Sequence, residues 1–182
     1  MNEGLVPRRY AKALYEFAGS SKADTRVYDL MKTLCASFVE VPAMQEAMSN
    51  PFVSDADKEM MLTTASGAES KSDRAFADFL RLLAQNRRLD MARDIALAYV
   101  SLYREKHRIY EVHVSSAAPM SGEEEKRLRD LVSRHLAGGT MEYHSSVDPG
   151  LIGGFTVSVG NERVDASVSN ELKQMRLNLL RK

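Results

Sequence analysis

The sequence predicts an α+β protein in two parts, an antiparallel six-helix bundle over residues 1–105 and a small α/β domain over 106–182. Three observations carry this. Apolar residues recur at helical spacing as far as Tyr103. At Ile109 the period becomes alternating, with Tyr110, Val112 and Val114 set against Glu111, His113 and Ser115. Between Asp148 and Leu180 the chain then holds a turn, a glycine pair, a hairpin and the pattern of a closing helix.

Helix one, about Val6 to Ala18, sets Tyr10, Leu14 and Phe17 on one face and Arg8, Lys12 and Glu16 on the other. Helix two keeps its spacing through Val27, Leu30, Met31, Leu34, Phe38 and Val41. Pro42 suits the first turn of a short third helix. Asn50-Pro51 ends that helix, because a residue before proline avoids the helical region. Ser54, with Asp55 and Asp57 behind it, reads as the cap of helix four. A loop around Gly67 to Ser72 leads to helix five, Asp73 to Arg88, and Asp90 reads as the cap of helix six, which turns Ile95, Ala96, Tyr99, Val100 and Tyr103 inward. Short links make successive helices neighbours, hence a bundle.

In the second part, Ser121 and Glu124 form the S-x-x-E of a capping box, opening a helix that should bury Leu128, Leu131, Val132 and Leu136 until Gly138-Gly139. Met141, Tyr143 and Val147 alternate on a further strand. Asp148-Pro149-Gly150 is turn chemistry. Phe155, Val157 and Val159 follow on a strand, Gly160-Asn161 reverses the chain, and Val164 and Ala166 resume on the return. Val168, Leu172, Met175 and Leu179 then fall at helical spacing. Gly153-Gly154, at the mouth of a strand, reads as a bulge or a close backbone approach.

Composition excludes several functions. Hydrophobic residues make up 44% and charged residues 27%, an ordinary globular balance. Lys+Arg and Asp+Glu are both 25, and a chain without basic excess is a poor nonspecific nucleic-acid binder. Cys35 is the only cysteine; it falls among apolar residues, where a small buried hydrophobe is expected. No apolar run reaches membrane-spanning length and no signal-peptide core opens the chain, so a soluble protein without direct membrane insertion is expected. The four histidines lack metal-ligand spacing, and Gly150, Gly153, Gly154 and Gly160 precede a strand rather than a helix, unlike phosphate-binding glycine loops. Glu123 to Glu125 suit a solvated helix start. No catalytic, cofactor or metal site is expected. The cluster Arg81, Arg87, Arg88 and Arg93 leaves an alternative open, a helical adaptor or RNA-associated factor.

Three motifs in order carry a family resemblance over nearly the whole chain. They are Pro7-Arg8-Arg9-Tyr10-Ala11-Lys12-Ala13-Leu14, Asn86-Arg87-Arg88-Leu89, and Ile152-Gly153-Gly154-Phe155 with Asp165-Ala166-Ser167-Val168. Together they resemble the delta subunit of bacterial F-type ATP synthases, called OSCP in mitochondria. Ala166 departs from the glycine usual in that signature, which bears on φ at that position. The resemblance implies a non-catalytic stator subunit in proton- or sodium-driven ATP synthesis, peripheral to the cytoplasmic face of the bacterial inner membrane. It implies an N-terminal bundle that binds the N-terminal helix of an alpha subunit, and a C-terminal domain that meets the b subunits of the peripheral stalk. In that family, helices one and five form the groove for the alpha-subunit helix. Helix five here has a second apolar stripe, Ala75, Phe79 and Leu82, beside Phe76, Leu80 and Leu83. The resemblance therefore implies a groove lined by Tyr10, Ala13, Leu82 and Phe79 with Arg88 at its rim. It marks Gly153, Gly154 and Asp165 as structural.

Overall fold

A computed structural model describes residues 4–69, 73–136, 138–160, 162–170 and 172–173. By its internal contacts the chain divides into two units, Met1–Glu105 and Lys106–Lys182.

The first unit is helical: α1 Leu5–Ser20, α2 Asp24–Glu40, α3 Ala43–Ser49, α4 Asp55–Ser66, α5 Arg74–Gln85 and α6 Ala92–His107, whose last turn runs past the unit's end. The punctuation is local chemistry. Asn50 is extended before Pro51, and its side-chain oxygen accepts the Phe52 amide at 2.9 Å. Ser54 Oγ accepts the Asp57 amide at the start of α4. Gly67 ends α4 at φ +68°.

The end of α5 differs from the sequence expectation. The helix stops at Gln85 rather than Arg88, because Arg87 takes φ +54°. The Arg87 and Arg88 amides then bond to Ala84 and Leu83 carbonyls at 2.9 and 2.8 Å, the paired closure of a Schellman stop. Asp90 lies inside a 3-10 turn, Leu89–Met91, and is not the cap of α6. The same closure ends α1, with Lys22 at φ +53° and the Ala23 amide on the Ala18 carbonyl.

The core of this unit is drawn from every helix: Leu14 and Ala18, Val27 to Phe38, Met48, Leu62, Phe76 to Leu83, and Ile95 to Tyr103 supply its buried positions. Tyr28 and Tyr103 stack at 4.2 Å between ring centres. Tyr99 is fully enclosed, and burial pushes its phenol above the ordinary range. Cys35 is half-buried, with its thiol pushed up to about 11 by burial, consistent with an inert filler. One ion pair is anchored deep: Arg26 donates two hydrogen bonds to Asp73, at 2.9 and 3.0 Å, and the Asp73 side chain is only 4% exposed.

The second unit is a four-stranded sheet with one helix in the first crossover: β1 Ile109–Ser116, α7 Gly122–His135, β2 Thr140–Val147, β3 Gly154–Val159 and β4 Glu162–Ser167. The order is β2-β1-β3-β4. β1 and β2 run parallel, as a βαβ crossover requires, and β3 pairs antiparallel with both β1 and β4. The Ser121–Glu124 capping box is complete. Val112, Val114, Val132, Leu136 and Val157 form the core, with Leu128, Met141, Tyr143 and Phe155 packed against it. Leu131 does not join them: it is 60% exposed, because α7 turns only one narrow stripe to the sheet. Val164 is also exposed, on the edge strand β4. A helical turn begins at Val168, and Met175 and Leu179 of the expected closing helix lie outside the described residues.

The glycine pair makes a close backbone approach. Gly154 has φ +81°, and a Cβ there would overlap the Ala166 carbonyl. The Val168 amide bonds to the Gly153 carbonyl at 3.0 Å. Hydrogen bonds from the Ser167 side chain and from its amide, which Asp165 Oδ1 accepts at 3.0 Å, hold the Asp165 carboxyl below the usual range. Ala166 lies on β4 and is not among the residues of positive φ, so alanine fits there without strain.

Candidate docking surfaces

Among the described residues no group of three or more His, Cys, Asp or Glu side chains is placed to hold a metal ion. None of the described helices is long and apolar enough to cross a membrane. What the surface offers is hollows.

One groove lies along α1 and α5. At one end is a hollow of about 340 Å³ lined by Ala13, Leu14, Phe17, Asp78, Phe79 and Leu82. At the other is one of about 380 Å³ lined by Val6, Arg9, Tyr10, Ala13, Leu82 and Arg88. Ala13 and Leu82 belong to both, so the two hollows form one trough with those residues at its saddle. Early α1 shares a hollow with late α5, and late α1 with early α5, so the two helices run antiparallel here.

The side chains play different parts. Leu14 and Phe79 are buried and make the floor. Phe17 is 47% exposed and Leu82 43%, large apolar groups left in water beside a concave surface. Ala13, exposed and small, keeps the trough open. All five residues named from the sequence line the trough, Phe79 as its floor. Val6, Arg9, Leu14, Phe17 and Asp78 are added by the structure. Val6 extends by one turn the stripe of Tyr10, Ala13 and Phe17 that helical spacing already shows in the sequence. Arg9 gave no such signal, because only the packing of α5 beside α1 brings it to Arg88.

The second unit has a hollow of about 710 Å³ between the start of α7 and the loop before β3, with Met120, Leu128, Leu131 and Phe155 among its lining. Ile152, 78% exposed, stands at its edge. This surface explains why Leu131 can remain apolar and outside the core. A further hollow of about 670 Å³ lies among α2, α3 and α4, floored by Met44 and rimmed by Met60. The sequence reading named neither. On the polar face of the sheet, His113 and His144 stack at 5.2 Å, and each faces Glu111.

The family model described as ATP synthase delta (OSCP) subunit matches residues 6–179. ATP synthase subunit delta of Parabacteroides distasonis is 37% identical over 99% of this chain and 98% of its own. That of Bacteroides thetaiotaomicron is 34% identical over 97% and 94%. The fold is similar to a chain in the cryo-EM structure of the Toxoplasma gondii mitochondrial ATP synthase hexamer, with a TM-score of 0.70 at 20% identity, covering 96% of this chain and 97% of that one. The chain belongs to the ATP synthase delta (OSCP) subunit family, and its role is that of a peripheral-stalk stator subunit of the complex, without an active site of its own.

Proposed function

We propose that this chain is the joint between the catalytic head and the peripheral stalk, holding the head still while the central shaft turns. The first unit acts as an antiparallel six-helix bundle whose α1–α5 trough receives the N-terminal helix of an alpha subunit. Tyr10, Ala13 and Leu82 line that site over the floor made by Phe79, with Arg88 at the rim. The second unit meets the b subunits of the stalk, and its apolar hollow beside Leu131 and Ile152 is the surface suited to a stalk helix. The assembly places the chain at the cytoplasmic face of a bacterial inner membrane, peripheral through its partners.

The single observation that supports this reading most is the trough itself: two exposed large apolar side chains, Phe17 near one end and Leu82 beside the small Ala13 at the saddle, over a concave surface between two helices. A passive joint needs such a surface and no reactive group. The test is reconstitution. Membranes stripped of their catalytic heads should rebind them, and regain coupled ATP synthesis, only when this chain is added back. A head that rebinds equally well without the chain would remove the proposed role.

A further inference from the structure

We propose that the α1–α5 trough is polarised, and selects a helix that carries a carboxylate at the Arg9–Arg88 end and apolar anchors over the rest. This rests on the trough being the docking site of the alpha-subunit helix.

The two ends differ in charge. At the Phe17 end the one ionised group among the described lining residues is Asp78, and it is already closed by Arg81 at 3.0 Å. At the other end Arg9 from α1 and Arg88 from just past α5 line one hollow with Val6, Tyr10, Ala13 and Leu82. Among the described residues, neither guanidinium has a side-chain hydrogen bond or an ion pair. Two like charges, one from α1 and one from the turn after α5, therefore line one hollow with no acid among its described lining. The turn at Arg87, φ +54°, is what carries the chain out of α5 and sets Arg88 there. A helix laid in the trough covers this end from water, and a carboxylate between the guanidiniums then gains more than an exposed pair would.

The spacing follows from α1. Arg9 and Phe17 are separated by eight positions, about 12 Å along the helix, a little over two turns. The partner should therefore present an acid, an apolar residue three or four positions away over the Ala13–Leu82 saddle, and another about seven positions away above Phe79.

Calorimetric and stopped-flow titration of the full-length chain tests this, with a synthetic peptide spanning the N-terminal segment of the alpha subunit from the same organism. Arg9→Glu and Arg88→Glu should each weaken binding about tenfold at low ionic strength, mostly through the association rate, with a smaller effect in high salt. A peptide in which the matching acid is changed to lysine should bind the unaltered chain poorly and recover on the Arg88→Glu chain. Binding that depends on Leu82 yet ignores both arginine reversals would overturn the charge selection and leave the docking site standing. Binding that ignores Leu82 as well, or no binding, would remove the docking site and this inference together. Displacement of the peptide by inorganic phosphate at constant ionic strength, to the same extent for acidic and neutralised peptides, would also overturn it.

Discussion

Gly154, at φ +81°, lies against the Ala166 carbonyl so closely that any Cβ would overlap that oxygen and come 3.0 Å from Ser167 Cα. Two penalties meet at one residue: a dihedral that side chains rarely adopt, and no room across the β3–β4 ladder. Gly154→Val should therefore destabilise the second unit by about 1–3 kcal/mol or more. Gly153→Ala should cost less, because its Cβ would meet side-chain atoms of Val168, the methyl at 3.1 Å and Cβ at 3.8 Å, rather than backbone. Hydrogen exchange on β3 and β4, read beside thermal melts, separates the two. Equal protection in both variants would show that the strand mouth tolerates a side chain.

The Arg26–Asp73 pair makes the first unit sensitive to acid. Arg26 holds the Asp73 carboxyl below its ordinary range by hydrogen bonding, against the opposing effect of burial, and the Glu69 amide at 2.9 Å adds to it. A depressed carboxylate contributes its full stability above the unfolded value, near pH 4, and loses it as pH falls through the lower folded value. Asp73→Asn should cost about 1–2 kcal/mol at pH 7, the scale of charged hydrogen bonds that are partly solvated. The gap between variant and native chain should shrink as pH falls below about 4. Urea titrations across that range check it; a gap independent of pH would mean the charge is not what stabilises the contact.

A fragment ending at His107 should unfold cooperatively on its own. The internal contacts divide at Glu105, and α6 continues to His107, so a cut there keeps the last helix whole. Tyr99 and Tyr103, deep in the core, belong to that helix, and truncation inside it would remove them. Calorimetry showing no transition in this fragment would mean that the first unit depends on the second.

Much of this molecule was legible because helix period and strand alternation report burial directly. The six helices, the capping box at Ser121 and the switch at Ile109 fall into that class. What was not legible has physical reasons. Helix stops are usually signalled by glycine, and Gly67 obeys, but α1 and α5 stop on Lys22 and Arg87, long side chains that read as helix formers. Leu131 fits the apolar pattern of α7 and yet faces water, since period cannot tell a core face from the wall of a surface hollow. At the trough, α5 shows five buried positions, Ala75, Phe76, Phe79, Leu80 and Leu83, while the period alone left Leu82, farthest from the main stripe, open between core and groove. Arg9 depends on the packing of two helices distant in sequence, and no local pattern encodes it.

Leu82 and Leu83 are adjacent on α5 and should behave as opposites. Leu83 is fully buried, and its truncation to alanine should cost the first unit about 2–5 kcal/mol. Leu82 is 43% exposed at the saddle of the trough, so Leu82→Ala should change stability by about 0.5 kcal/mol or less. For the alpha-subunit peptide the order reverses. Leu82→Ala removes an anchor that the bound helix would cover, and should weaken binding by about 1–2 kcal/mol. Leu83 is not among the residues that line the trough, so under conditions where its variant remains folded the peptide should bind it nearly as well as the native chain. Thermal melts and calorimetric titration of both variants give the four numbers needed. Native peptide affinity with a badly destabilised Leu82→Ala chain would make Leu82 ordinary core, and the docking site would have to lie on another face.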